Sequence, residues 1–163
     1  MSTVTESVTI RRATTADLPA LGELGALLVR THFDFDTRRF MAPGDGPEGG
    51  YAWFLGTQLT DGNVAVFVAD HEGELIGYVY AGIEPQSWKE LRDECGFIHD
   101  VAVHHRGRGM GVASKLIEAA VEWLASRGMP RVMLWTAHRN SDAQRLFERL
   151  GFRRTMVEMT REL

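Results

Sequence analysis

The segment His104-His105-Arg106-Gly107-Arg108-Gly109-Met110-Gly111 carries the residue types and spacing best suited to holding a ligand. Three glycines at alternate positions let the backbone turn tightly and leave N–H groups uncovered by side chains. At the start of a helix such N–H groups sit in the positive end of the helix dipole and attract an anion. Arg106 and Arg108 add formal charge at the same place. These residues predict a phosphate or pyrophosphate site. A glycine-rich connection without a ligand is the plainer alternative, and two arginines beside the turn count against it.

Proton chemistry has its own candidates just upstream. An imidazole titrates close to neutrality and can take a proton from an ammonium, directly or through water. His99 is therefore the first candidate base. It stands two residues before Val101, so strand alternation predicts both on one face and Asp100 on the other. A histidine simply satisfied within a sheet explains His99 equally well. Glu84 and Glu94 come second, each also readable as a solvated loop charge. His99, Asp100, His104 and His105 invite a metal reading, but alternation and the turn separate them, so no metal is expected.

The elements that must position these groups follow from periodicity. Val8 to Arg11 alternates as a short strand, and Thr14 to Asp17 is a capping signal for a helix whose leucines at 18, 21, 24 and 28 share one stripe, ending near Arg30. Residues 31–41 are ambiguous, 43–50 read as a loop rich in Pro and Gly, and Tyr51 to Thr60 as an amphipathic helix. Val64 to Ala69 and Leu75 to Ile83, separated by His71-Glu72-Gly73-Glu74 with its glycine, form a hairpin. Glu84 to Cys95 is a polar loop, and Phe97 to Val103 a strand leading into the glycine turn. A long helix runs from about Gly109 until Gly128 and Pro130 stop it. Arg131 to Thr136 is a strand, Asn140 caps a helix through Leu150, and Phe152 to Met159 is a last strand. Strand, helix and strand from Phe97 to Thr136 make a right-handed parallel crossover, so the fold expected is α/β (α+β): a mixed, mostly antiparallel twisted sheet with helices on both faces.

Composition bounds the setting. A chain of 163 residues, 44% hydrophobic and 25% charged, suits one globular domain over 1–163. Net charge is -4 with signs mixed, so no basic stripe offers itself to nucleic acid. No stretch approaches the roughly 20 apolar residues of a membrane span, and the first thirty residues lack a secretory pattern. A single cysteine, Cys95, makes no internal disulfide; the expected location is cytoplasmic.

Which phosphate ligand fits the turn is a question of spacing. A P-loop would need Gly-x-x-x-x-Gly-Lys-Ser/Thr, which is absent. A dinucleotide fingerprint is Gly-x-Gly-x-x-Gly with an acidic residue about 20 positions on, whereas this turn reads Gly-x-Gly-x-Gly and the next strand ends Thr136-Ala137-His138. Arg139 keeps a weak NADP reading open. Arg106-Gly107-Arg108-Gly109-Met110-Gly111 instead resembles the Arg/Gln-x-x-Gly-x-Gly/Ala signature of the GCN5-related N-acetyltransferases, at the same strand-to-helix junction. Asn140-x-x-Ala143-x-x-Leu146-Phe147-x-x-x-Gly151-Phe152 resembles that family's second motif.

The resemblance implies an acetyl-CoA-dependent N-acetyltransferase in which the amine attacks the thioester directly. Val101, Ala102 and Val103 would line a splayed strand pairing with pantetheine, and the amides of Arg106, Gly107, Arg108, Gly109, Met110, Gly111, Val112 and Ala113 would hold the pyrophosphate. Asn140 and Phe147 would flank the cofactor, Asn140 serving equally as a helix cap. The family often carries a proton-donating Tyr where this chain has Phe147, so Tyr78 or Tyr80 is an alternative donor, with strand packing the plainer role for both. That departure also motivates a non-catalytic acyl-CoA-binding regulatory module. The resemblance gives the acceptor cleft to residues 32–36 and 84–94, leaving small amines, amino acids, antibiotics and protein N-termini open as acceptors, and allows a homodimer.

Overall fold

A computed structural model describes residues 7–163. The first six residues, part of the expected 1–163 domain, lie outside the described residues. Strand β1 (Thr9–Arg12) is followed by a single 3-10 turn at Thr15–Asp17 and by α1 (Leu18–Phe35). The predicted cap forms here: the Thr14 amide donates to the Asp17 carboxylate at 2.8 Å. Arg11 clamps the same carboxylate with two donors, at 2.8 and 3.0 Å.

Helix α1 continues past Arg30 to Phe35, which resolves the first part of the ambiguous stretch. The Thr31 hydroxyl donates back to the Leu27 carbonyl at 2.8 Å, so a residue that often competes with a helix is accommodated within it. Helix α2 spans Pro47–Gln58 rather than starting at Tyr51. Pro47 at the first helical position is the reason: its fixed φ suits a helix start, and its missing N–H would have no partner there anyway.

The sheet has the order β1-β2-β3-β4-β5, with β2 at Val64–His71, β3 at Glu74–Glu84, β4 at Cys95–Val103 and β5 at Val132–Leu134. The first four strands are antiparallel and β4–β5 is parallel, as the crossover requires. The β2–β3 hairpin turns through Glu72 and Gly73, both at positive φ, the geometry that matches strand twist in a two-residue turn.

Apolar residues collect on both faces. Leu116, Ile117, Ala120 and Leu124 of α3 (Val112–Ser126) pack over Val79, Ala81 and Ile98. Leu21, Leu24 and Leu55 from α1 and α2 pack with Tyr78, Tyr80 and Ala102 on the other face. Adjacent residues of β3 thus serve different cores, as period-two alternation dictates. Among the described residues no helix is long and apolar enough to cross a membrane.

The expected last strand does not form. After α4 (Ser141–Arg149) the chain from Phe152 onward has no strand pairing, and Met156, Val157 and Met159 are exposed. Extended, β-prone residues become a strand only against a sheet edge, and β5 is three residues long. Ion pairs hold this tail to the segment after α1 instead: Arg39 with Glu158, and Arg38 with Glu162.

Candidate active site

Strand β4 pairs with β5 only at Gly96, Phe97 and Ile98; from His99 to Val103 the two strands part. That opening leaves one edge of β4 unpaired beside the start of α3. Two residues after the end of β4 the chain tightens into a 3-10 turn at His105–Gly107. Gly107 makes a close approach, since a Cβ there would lie 3.0 Å from the Val103 side chain, which would have to give to admit it. Gly109 and Gly111 adopt φ of 77° and 69°, in the left-handed region that favours glycine.

The turn spends some of its amides internally. Those of Gly107, Arg108 and Met110 donate to carbonyls within the turn, and that of Arg106 donates to the His104 imidazole. The amides of Gly109, Gly111, Val112, Ala113 and Ser114 have no acceptor among the described residues. Five uncommitted donors at a helix start form a cradle of the kind that suits an anion. The Arg106 guanidinium pairs with Glu74 on the neighbouring hairpin, so it is tethered at the cradle's edge.

The second motif falls on α4. Asn140 caps that helix, its side-chain oxygen accepting from the Ala143 amide at 3.2 Å. The Phe147 ring meets Phe152 at 6.0 Å and packs on the core beneath α3. Both tyrosines considered as replacement donors are committed elsewhere. The Tyr78 hydroxyl donates to Asp100 at 3.0 Å and the Tyr80 hydroxyl to Gln58 at 2.9 Å. Burial pushes Tyr80 up to about 12 and Tyr78 well above its ordinary value, so neither gives up a proton readily.

Strand β4 contradicts the alternation expected for His99. Register slips between Tyr80 and Ala81 of β3: Tyr80 faces Asp100, but Ala81 faces Ile98, leaving His99 as the extra residue of a β-bulge. The bulge turns His99 away from Val101. Val101 packs against the core beneath α3, while the His99 ring stacks between Phe97 at 4.9 Å and Tyr80 at 4.8 Å on the α1/α2 side. Asp100 faces that same side, where it accepts from Tyr51 and Tyr78. Burial raises the Asp100 carboxyl above its ordinary range, and the two phenols partly oppose that.

The bulge also brings together two residues separated in sequence by a whole loop. His99 Nε2 lies 2.9 Å from Glu84 Oε1. Strand β3 runs to Glu84, so the carboxylate is fixed at a strand end rather than in the loop, with 35% of its side chain accessible against 28% for His99. A carboxylate accepting from Nε2–H leaves the lone pair on Nδ1, the state in which an imidazole takes up a proton. Glu94 sits in the loop before β4 and takes no part in this pair. A groove of about 740 Å³ between α3 and the β1–β2 edge, lined by Phe67, Lys115 and Trp123 among others, includes none of these groups.

Sequence reasoning missed Tyr51 and the bulge. Tyr51 reaches Asp100 because its ring crosses α1 at Gly25, where a Cβ would lie 2.1 Å from it. The proline at position 47 is the signal that would have placed Tyr51 one turn inside α2.

A mixed five-stranded sheet whose parallel strand pair splits beside uncommitted amides at a helix start is the arrangement of the GNAT class, whose members take acetyl from acetyl-CoA. Residues 28–152 match the acetyltransferase (GNAT) family model, and the chain belongs to that family. It is 33% identical over 94 residues to a mycothiol acetyltransferase of Thermomonospora curvata, covering 58% of this chain and 29% of that protein. It is also 33% identical over 106 residues to an uncharacterized N-acetyltransferase of Archaeoglobus fulgidus, covering 64% of this chain and 67% of the relative. The chain thus spans less than a third of the length of that mycothiol enzyme. The solved aminoglycoside N-acetyltransferase AAC(6')-Iy in complex with CoA superposes with a TM-score of 0.80 at 21% identity, over 100% of this chain and 99% of that one, a likeness of fold.

Proposed function

We propose that residues 1–163 act as a single N-acetyltransferase domain that moves acetyl from acetyl-CoA to a small-molecule amine by direct attack within a ternary complex. The observation that carries the reading is the 2.9 Å contact between His99 and Glu84 beside the open edge of β4.

Each residue then has a defined task. The amides of Gly109, Gly111, Val112 and Ala113 bind the pyrophosphate, and Arg106, Gly107, Arg108 and Met110 shape that cradle. Val101, Ala102 and Val103 offer their free backbone edge to pantetheine. Asn140 holds α4, and Phe147 packs beside the cofactor arm. Glu84 keeps the His99 proton on Nε2, so Nδ1 accepts the proton of the incoming ammonium. The neutral nitrogen then attacks the thioester carbonyl carbon; the C–N bond forms, the C–S bond breaks, and the thiolate leaves and is protonated from solvent. Phe147 has no hydroxyl to donate and both nearby tyrosines are engaged, so none of these three side chains supplies that last proton.

A small amine rather than a peptide is favoured because the chain is similar to a mycothiol acetyltransferase and folds like an aminoglycoside N-acetyltransferase, both named for small-molecule acceptors. The cofactor arm of the reading is tested by calorimetric titration with acetyl-CoA, with NADP as control. Micromolar acetyl-CoA binding followed by thiol release with an amine supports transfer. Binding without turnover of any amine would leave an acyl-CoA-binding regulatory module, which Phe147 favours. Preference for NADP would remove the reading altogether.

A further inference from the structure

The glycine turn carries two guanidiniums in different states. Arg108 is exposed and makes no ion pair or side-chain hydrogen bond among the described residues. Arg106 is engaged twice over: one terminal nitrogen donates to the Glu74 carboxylate, and its Nε donates to His104 Nδ1 at 3.2 Å. The same Nδ1 accepts from the Arg106 amide, also at 3.2 Å, so the lone pair of that ring lies on Nδ1. The fold fixes this arrangement. Glu74 opens β3 just after the hairpin turn at Gly73, and the His104 amide donates to the Ile76 carbonyl at 2.8 Å, which docks the start of β3 beside the turn.

Charge makes the contact consequential. Among the described residues Glu74 is the one carboxylate paired with residues 104–111. It neutralises a cation beside five amides that have no acceptor, and its own charge repels the anion those amides suit. The pair is open to solvent, with 52% of the Arg106 side chain and 64% of the Glu74 side chain accessible. Exposed pairs are weak, whereas a phosphate offers a guanidinium several oxygens and a charge-assisted, two-pronged contact. An incoming phosphate therefore displaces Glu74 at little cost.

We propose that Glu74 is a latch on Arg106 that competes with the pyrophosphate of coenzyme A, weakening cofactor binding and speeding release of the product. Glu74 and His104 hold the guanidinium at the cradle's edge; on cofactor binding, Arg106 transfers its contact from the carboxylate to a phosphate. No covalent bond is made or broken in this exchange. Glu74 tunes affinity through Arg106 and leaves the acetyl transfer itself alone. The inference rests on the pyrophosphate reading of the cradle above and deepens it.

The test is Glu74→Gln, which keeps the size of the side chain and removes its charge. Acetyl-CoA and free CoA are titrated calorimetrically. Thiol release with an amine gives kcat/KM for acetyl-CoA and for S-acetylpantetheine, which has the same thioester arm but no phosphate. Expected is a Kd for both coenzyme forms roughly 2- to 5-fold lower than in the parent, the worth of an exposed pair, with kcat/KM for S-acetylpantetheine unchanged. In an Arg106→Gln background the same change at Glu74 should lose most of its effect. Unchanged or weaker acetyl-CoA binding in Glu74→Gln overturns the inference, as does an equal gain with S-acetylpantetheine or an undiminished gain without Arg106. Those outcomes leave the transferase reading standing; absence of acetyl-CoA binding in the unmodified protein removes both.

Discussion

The imidazole Nε2 of His99 lies 2.9 Å from Oε1 of Glu84, although fourteen residues of loop and strand separate the two in the chain. The bulge at His99 creates this contact by turning the ring onto the face where β3 ends. If the pair activates the amine, His99→Ala lowers kcat/KM by about 10²- to 10⁴-fold, the usual worth of general base catalysis, with acetyl-CoA affinity retained. Glu84→Gln should cause a smaller loss, since the ring keeps its lone pair but not its fixed orientation. Steady-state rates beside calorimetric binding separate the two effects; full activity in His99→Ala would end the base assignment.

Gly109 has φ of 77° and open space where a Cβ would project. Gly109→Val is therefore limited by backbone conformation, not by a clash. Forcing a β-branched residue into this region costs about 1–3 kcal/mol. Where that strain moves the amides out of line, acetyl-CoA binds roughly 5- to 150-fold more weakly. Calorimetric titration of the variant measures this directly, and unchanged affinity would show that the turn does not hold the cofactor.

Asp17 and Arg11 predict a stability change with pH. Hydrogen bonding from Arg11, together with the Thr14 amide, holds the Asp17 carboxyl below its ordinary range despite burial. A folded value below the unfolded one means the ionised carboxylate stabilises the fold: the contribution is present above the ordinary carboxylate range and is lost as pH falls through the depressed value. Asp17→Asn should lower unfolding free energy at pH 7 by about 1–3 kcal/mol. Urea denaturation from pH 7 downward should show the gap between variant and parent closing in acid.

Asp100 should behave in the opposite sense. Burial raises its carboxyl, so ionisation there opposes folding at neutral pH, and that opposition fades as pH falls through the raised value. Asp100→Ala strands the hydroxyls of Tyr51 and Tyr78 and should cost about 1–3 kcal/mol for each left unpaired. Asp100→Asn retains an acceptor without the charge and should lie much closer to the parent. Urea midpoints at pH 7 distinguish the two variants; equal destabilisation would mean the charge, not the acceptor, matters.

Local chemistry made much of this protein legible from its sequence. The glycine turn was readable because positive φ and uncovered amides are properties of glycine itself, and the caps at Thr14–Asp17 and Asn140 because Asp and Asn bond backbone amides a few residues away. Two-residue and three-to-four-residue periodicities located β2, β3, α1 and α3, since alternation and helical stripes are one-dimensional records of burial. Tertiary structure decided the rest. A bulge leaves no mark in periodicity, so the side to which His99 turns depended on its register with β3. Phe152 to Met159 has the composition of a strand, yet strand formation needs hydrogen-bonding partners that lie elsewhere in the chain, and there it has none. The meeting of Glu84 with His99, and the stacking of His99 between Tyr80 and Phe97, are contacts across strands that only the register of the folded sheet brings within reach.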